Sequence, residues 1–244
     1  MSAAPPVLSL EGVVGGYDGR PVLHGVDLTV PSGGAVCLVG PNGSGKSTLL
    51  NAILGLCEVS AGRIVVQGQD IAGIPAARRM QALGLACVPQ ESSVFPALTV
   101  EQNLRLGLYH APRAAQAKAE AARLLDQYPA LGRRRHELAH VLSGGERRLL
   151  EVVRAMMTNP AVLLVDEPSI GLDTTATETV FSLFASMRRD RGIAVLVAEQ
   201  NLRAGLGFAE TGCVLVSGRI VATMPSSELL AGSALRRYFL ERPV

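Results

Sequence analysis

The sequence carries almost no excess charge: 23 Lys and Arg face 21 Asp and Glu. No global field therefore recruits nucleic acid or anionic lipid, and any basic patch must be local. Long hydrophobic runs are missing too. The longest, such as IAVLVA at Ile193–Ala198, are strand-length, and the opening MSAAPPVLSLEG has no positive n-region, apolar h-region or cleavage signature. The expectation is a chain neither exported nor membrane-spanning. Cysteine is sparse. Cys37, Cys57, Cys87 and Cys213 are far apart, form no CxxC pair and mostly sit in apolar runs, which favours small buried hydrophobes over a disulfide or a zinc site. Internal repeats, linkers and low-complexity tracts are also lacking, so one continuous domain is expected.

What is present suits a large core. Hydrophobic residues make up 48% of the 244 and charged residues 18%, a globular balance that excludes a disordered chain. Val7 to Val14 and Val22 to Val30, joined across Asp18-Gly19, read as an antiparallel flap. Ala35 to Val39 is a continuous apolar strand, followed by a glycine-rich loop and a helix from Ser47 to Leu56. Short strands follow at Arg63 to Val66 and Ala86 to Val88. Glu101 to Gln127, rich in Ala, Leu, Lys and Arg, reads as a helical lobe. Ser143 to Thr158 is a helix ended by Asn159-Pro160, and Ala161 to Val165 and Ile193 to Ala198 are fully apolar strands. Buried strands alternating with helices imply a parallel sheet with ligands beyond its carboxyl ends.

Three motifs carry chemistry. Gly40, Pro41, Asn42, Gly43, Ser44, Gly45, Lys46, Ser47 and Thr48 (GPNGSGKST) fit the phosphate-loop pattern, in which glycines let backbone N–H groups wrap an anion at a helix start. Lys46 would reach the β- and γ-phosphates of a nucleotide and the Ser47 hydroxyl would ligate Mg²⁺. In AVLLVDEP, Asp166 at a strand exit suits Mg²⁺ held through water, and Glu167 is placed to polarise an attacking water. Alone, that pair is compatible with a polar turn. In LSGGE, Ser143 and Glu146 have capping-box spacing, sufficient by itself as local structure. Gly144 and Gly145 go further, leaving bare backbone at a helix mouth where the Ser143 hydroxyl can face a phosphate.

Phosphate loop, LSGGE, LLVDEP and a following GLD, in this order, resemble the ATP-binding subunits of ABC transporters over essentially the whole chain. The resemblance implies an α/β fold: a P-loop NTPase core with a mainly parallel sheet, an N-terminal antiparallel β flap and an α-helical lobe inserted over about 91–158 of a single 1–244 domain. It also implies ATP and Mg²⁺, transmembrane permease partners, a cytoplasmic place on the inner face of the membrane, and head-to-tail pairing with a second subunit, identical or not. LSGGE of one subunit would then face the phosphate loop of the other. Carried over by position, Tyr17 resembles the aromatic that stacks on adenine. Gln90 resembles the glutamine that touches Mg²⁺ and senses the membrane subunit. Gly171, Leu172 and Asp173 resemble the loop that crosses the dimer interface. Read without the family, Tyr17 equally suits a hairpin turn and Gln90 a loop.

One position departs from the family pattern: where most relatives carry a γ-phosphate histidine, Gln200 follows Glu199. Gln keeps a donor but cannot become an imidazolium. VAEQN here, with VFPALTVEQNL at Val94 to Leu104, is similar to ATPases of branched-chain amino acid and urea or amide importers. VPQESSVFPALTV and LSGGERR resemble the lipopolysaccharide-transport ATPase, in which the histidine is expected. Arg133, Arg134, Arg135 and His136 read as solvated surface in preference to a head-group patch. Val94, Phe95, Pro96 and Leu98 are either a groove for a membrane-subunit helix or core. The tail Ser226 to Glu241 reads as a capping helix packing through Leu229, Leu230, Leu235 and Phe239. An ABC-type ATPase acting on nucleic acid and a P-loop kinase are the alternatives. The first is disfavoured by near-neutral charge and by the lack of a second cassette or insertion, the second by LSGGE.

Overall fold

The structure is a computed structural model that describes residues 5–109 and 114–231. In the amino-terminal half, β1 (Leu8–Tyr17) and β2 (Arg20–Val30) form a hairpin, followed by β3 (Ala35–Val39), α1 (Lys46–Leu54), β4 (Glu58–Val66), β5 (Gln69–Asp70), α2 (Ala76–Ala82) and β6 (Leu85–Val88). Four helices come next: α3 (Val100–Leu106), α4 (Ala114–Gln127), α5 (Pro129–Gly132) and α6 (Gly144–Met156). The chain then alternates again through β7 (Val162–Asp166), α7 (Thr174–Arg191), β8 (Ala194–Glu199), α8 (Leu202–Phe208), β9 (Thr211–Val216), β10 (Arg219–Pro225) and α9 (Ser226–Ala231).

Two sheets result. The larger has the order β10-β9-β3-β8-β7-β6, parallel except for the β10 edge. The fold is α/β, and the expected flap is a four-stranded antiparallel sheet of order β2-β1-β4-β5, larger than the hairpin alone. Every residue of β3, β7 and β8 is buried, which is why they read as unbroken apolar runs. Side chains nevertheless alternate between two cores. Cys37, Leu163, Val165, Val195 and Val197 join the helices α6, α7 and α8 on one side. Val36, Leu38, Leu164, Leu196 and Ala198 face α1 and the antiparallel sheet on the other.

Several elements differ from the sequence reading. The stretch Glu101 to Gln127 is interrupted: Gly107 ends α3 where an added Cβ would lie 2.6 Å from the Arg154 carbonyl oxygen, so the chain turns against α6. β4 begins at Glu58, ahead of Arg63. Of the tail, α9 buries Leu229 and leaves Leu230 exposed, while Leu235 and Phe239 lie outside the described residues. Phe95 is 53% exposed, Leu98 is half-buried, and Val94 packs against the main core, so the stretch is partly core and partly surface. Arg134 pairs with Glu137 and Glu146, and Arg135 with Glu101, as a solvated charged surface. No helix among the described residues is long and apolar enough to cross a membrane.

Candidate functional site: a phosphate loop facing two carboxylates

The carboxyl ends of β3, β8, β7 and β6, adjacent in the sheet, all open onto one region. After β3, Gly40 passes so close to its neighbours that a Cβ would sit 2.2 Å from the Leu215 carbonyl oxygen and 2.6 Å from Ser44 Oγ. Gly43 and Gly45 adopt φ of 76° and 105°, a region open to glycine at little cost. α1 then starts at Lys46 with no side-chain cap, whereas α3, α6, α7 and α8 are capped by Thr99, Ser143, Asp173 and Asn201. The first N–H groups of α1 are therefore free for an outside acceptor, and the macrodipole favours an anion. The Ser44 hydroxyl beside them is buried without a hydrogen-bond partner.

β7 brings the carboxylates. Glu167 sits at φ 44°, held there because its N–H donates to the Ala198 carbonyl at 2.8 Å. Lys46 Nζ lies 3.4 Å from Glu167 Oε1 and donates to the carbonyls of Gly40 at 3.0 Å and Pro41 at 3.3 Å. From the other side, Gln200 Nε2 donates to the same Glu167 oxygen at 2.6 Å. Burial pushes the Asp166 carboxyl above its ordinary range; the Ser47 hydroxyl pulls it down, Glu167 adds to the rise, and Lys46 and Arg148 oppose it. Asp166 Oδ1 is buried with no partner. Asn42, Gly43, Gly45, Lys46, Ser47, Thr48, Gln90, Glu167 and Gln200 line one cavity of about 470 Å³, with Val22 and Ile170 completing its wall.

Other candidate residues stand elsewhere. Ser143, Gly144, Gly145, Glu146 and Asp173 do not line this cavity. Ser143 and Glu146 form a reciprocal capping box, with bonds of 3.3 and 2.9 Å. The Ser143 oxygen acts there as acceptor, leaving its own proton to donate. Gly144 opens a separate groove of about 250 Å³ that shares Gln90 and Ile170 with the first. Asp173 accepts from Ala176 N–H at 2.8 Å. Tyr17 is 41% exposed at the end of β1, and its hydroxyl accepts from Asn51 Nδ2 at 2.8 Å.

Sequence reasoning missed what secures the Gln90 loop. Arg148 of α6 donates to the carbonyls of Pro89 at 2.7 Å and Gln90 at 2.9 Å. Glu151 accepts from Ser92 Oγ at 2.8 Å, Ser93 N–H at 2.7 Å and Arg148 at 3.0 Å, and Arg154 holds Ser93 through its carbonyl and hydroxyl. The signal in the sequence is the three-residue spacing of Arg148, Glu151 and Arg154, which puts them on one helix face.

Comparison with known proteins decides the family: the model described as ABC transporter matches residues 23–170. The chain belongs to the ABC transporter family. Among curated relatives of this family, a high-affinity branched-chain amino acid transport ATP-binding protein of Pseudomonas aeruginosa, BraG, is 35% identical over 234 residues, 96% of this chain and 99% of its own. A lipopolysaccharide export system ATP-binding protein of Haemophilus influenzae, LptB, is 34% identical over 236 residues, covering 96% and 97%. Among solved structures, the ADP conformation of an ATP-binding cassette of an ABC transporter superposes with TM-score 0.85 at 27% identity, covering 96% of this chain and 97% of the other. The chain is thus an ABC transporter ATP-binding subunit, and its fold is that of the family's cassettes.

Proposed function

We propose that this subunit hydrolyses Mg-ATP in the cavity between the phosphate loop and Glu167, within a head-to-tail dimer, and so drives a permease importing branched-chain amino acids or related small amides. The observation that carries the catalytic reading is the convergence of Lys46 and Gln200 on one oxygen of Glu167 in front of an uncapped helix start. The α1 N–H groups, Ser44 and Lys46 receive the phosphates, and Tyr17, outside the cavity lining but exposed at the end of β1, is assigned to stack on the base. Glu167 orients the attacking water and takes its proton, Gln200 holds that carboxylate in place, and Lys46 offsets charge gathering on the leaving phosphate. The unpartnered Asp166 oxygen, with Ser47 beside it, fits Mg²⁺, which takes one or two protein oxygens and fills the rest with water and phosphate. Bound there with Gln90, the ion would neutralise phosphate charge.

Because Ser143, Gly144, Gly145, Glu146 and Asp173 stand outside the cavity, a second copy or a cousin must supply them. On this reading the lobe expected over about 91–158, through α6, carries Ser143 to it, and the permease anchors the pair at the inner membrane face. Glu167→Gln should lower turnover by about 10²- to 10⁴-fold while ATP still stabilises dimers; unimpaired turnover would remove Glu167 as the base. The import reading is supported by the Glu199-Gln200-Asn201 likeness and by BraG. The similarity to LptB supports lipopolysaccharide export as the second reading. Co-purified membrane subunits in vesicles distinguish them: ATP-driven uptake of labelled leucine, valine or urea supports import, and ATPase stimulated by lipopolysaccharide alone overturns it.

A further inference from the structure

A third carboxylate lies behind Glu167 and Gln200, and the reaction described above does not use it. Glu199 ends β8 at 1% exposure. Its Oε1 accepts from the Ser169 N–H at 2.9 Å, and its Oε2 accepts from the Gln200 and Asn201 N–H groups, each at 2.8 Å. Ser169 lies two residues beyond Glu167, and Gln200 is the residue that grips Glu167. One side chain therefore ties together the loop carrying the base and the loop carrying its partner. α8 closes the space behind it: an added Cβ at Gly205 would lie 3.0 Å from Glu199 Cβ and 2.6 Å from Cys37 Sγ.

We propose that Glu199 is a positioning residue for hydrolysis, setting the separation of Glu167 from Gln200 and hence the place of the attacking water. The inference rests on the reading of Glu167 as the base. Its chemistry requires a carboxylate, because donors occupy both oxygens and an ionised carboxyl is acceptor-only. In Glu199→Gln one of those oxygens becomes an NH₂ group. The amide satisfies two N–H groups by turning its oxygen to Gln200 and Asn201, which keeps the start of α8 intact and sets donor against donor at Ser169. The Ser169 turn of the base loop is then released, leaving only the Glu167 N–H bond to Ala198 to hold that loop to β8. A shift of about 1 Å in reacting groups costs on the order of 10²-fold in rate.

The test is steady-state phosphate release from Mg-ATP by the full-length protein, with thermal melting of each variant and Glu167→Gln measured in parallel. Glu199→Gln is expected to lower kcat by about 10- to 100-fold with KM for Mg-ATP within about twofold. Its Tm should fall by no more than about 12 °C, the span of one charge-assisted hydrogen bond in a chain this size. Glu199→Asp, which keeps the charge and retreats from Ser169, should give a smaller loss with the same split. Wild-type kcat in Glu199→Gln overturns the inference, as does a lost activity that follows the unfolded fraction, or failure of both variants to fold, since Glu199 is then structural. If Glu167→Gln is fully active, the base assignment fails first, whatever Glu199 does.

Discussion

Gln200 offers the sharpest measurement of this site. Its Nε2 donates at 2.6 Å to Glu167 Oε1, and Glu167 is 6% exposed while Gln200 itself is on the surface. Truncation to Ala therefore removes a charge-assisted bond with little cost to folding. Such a bond is worth about 1.5–3 kcal/mol. If it holds Glu167 chiefly as the water is attacked, kcat falls by about 10- to 150-fold at 1.4 kcal/mol per tenfold. The assay is phosphate release across Mg-ATP concentrations, in which an unchanged KM assigns Gln200 to Glu167 and a raised KM to the phosphates. Gln200→His restores the donor and adds a group titrating near 6.5. The ratio of its kcat to wild type, taken against pH to cancel titration of the nucleotide, should show an inflexion near that value. Wild type has no inflexion from this position, since an amide does not titrate. A kcat in Gln200→Ala within about twofold of wild type would refute the reasoning.

Gly40→Ala places a methyl 2.2 Å from the Leu215 oxygen and should weaken binding of a fluorescent ATP analogue by at least about tenfold. Gly43→Ala, at φ 76° with nothing within 4 Å, should cost only about 1–2 kcal/mol of stability in denaturant titrations. Glu151→Ala leaves the Arg148 charge, with 7% side-chain exposure, unpaired. A buried pair broken this way costs about 3–5 kcal/mol, a fall in Tm of roughly 6–20 °C by calorimetry. Burial pushes Glu146 up, but the Ser143 backbone and hydroxyl and then Arg134 outweigh it and hold it below its ordinary 4.5. A depressed carboxyl stabilises fully above its unfolded value and loses that contribution as pH falls through its folded one. Melting temperatures of wild type and Glu146→Ala should therefore converge as pH drops from about 7 to about 3.

The parts legible in the sequence were those whose causes are local. β3 and β7 read correctly because both faces are covered, and the start of α6 because Ser143 and Glu146 cap it within four residues. The phosphate loop is legible for the same reason, its glycines being demanded by its own backbone. Elsewhere the causes are distant. Gly107 is one weak helix former in a strongly helical stretch, and the close approach of α6 that requires a glycine there is not visible in the sequence. The first six residues of β4 are exposed on both faces, so no alternation marks them. α7 went unassigned although Thr177, Val180, Phe181 and Phe184 are buried at three- and four-residue spacing. The β9–β10 hairpin was signalled only by Ser217-Gly218, both at positive φ. Glu199 had no pattern to betray it, because its partner at Ser169 is a backbone group thirty residues earlier.

The loop bearing Gln90 leaves the end of β6, yet its carbonyls and serines are fastened to Arg148, Glu151 and Arg154 of α6. Gln90 thus takes its bearing from α6 as well as from the sheet. If a displacement of α6 carries Gln90 with it and so changes how well the cavity accepts a ligand, then by thermodynamic reciprocity an occupied cavity resists that displacement by the same free energy. Force and occupancy would then be two readings of a single equilibrium, linked through three side chains on about two turns of helix.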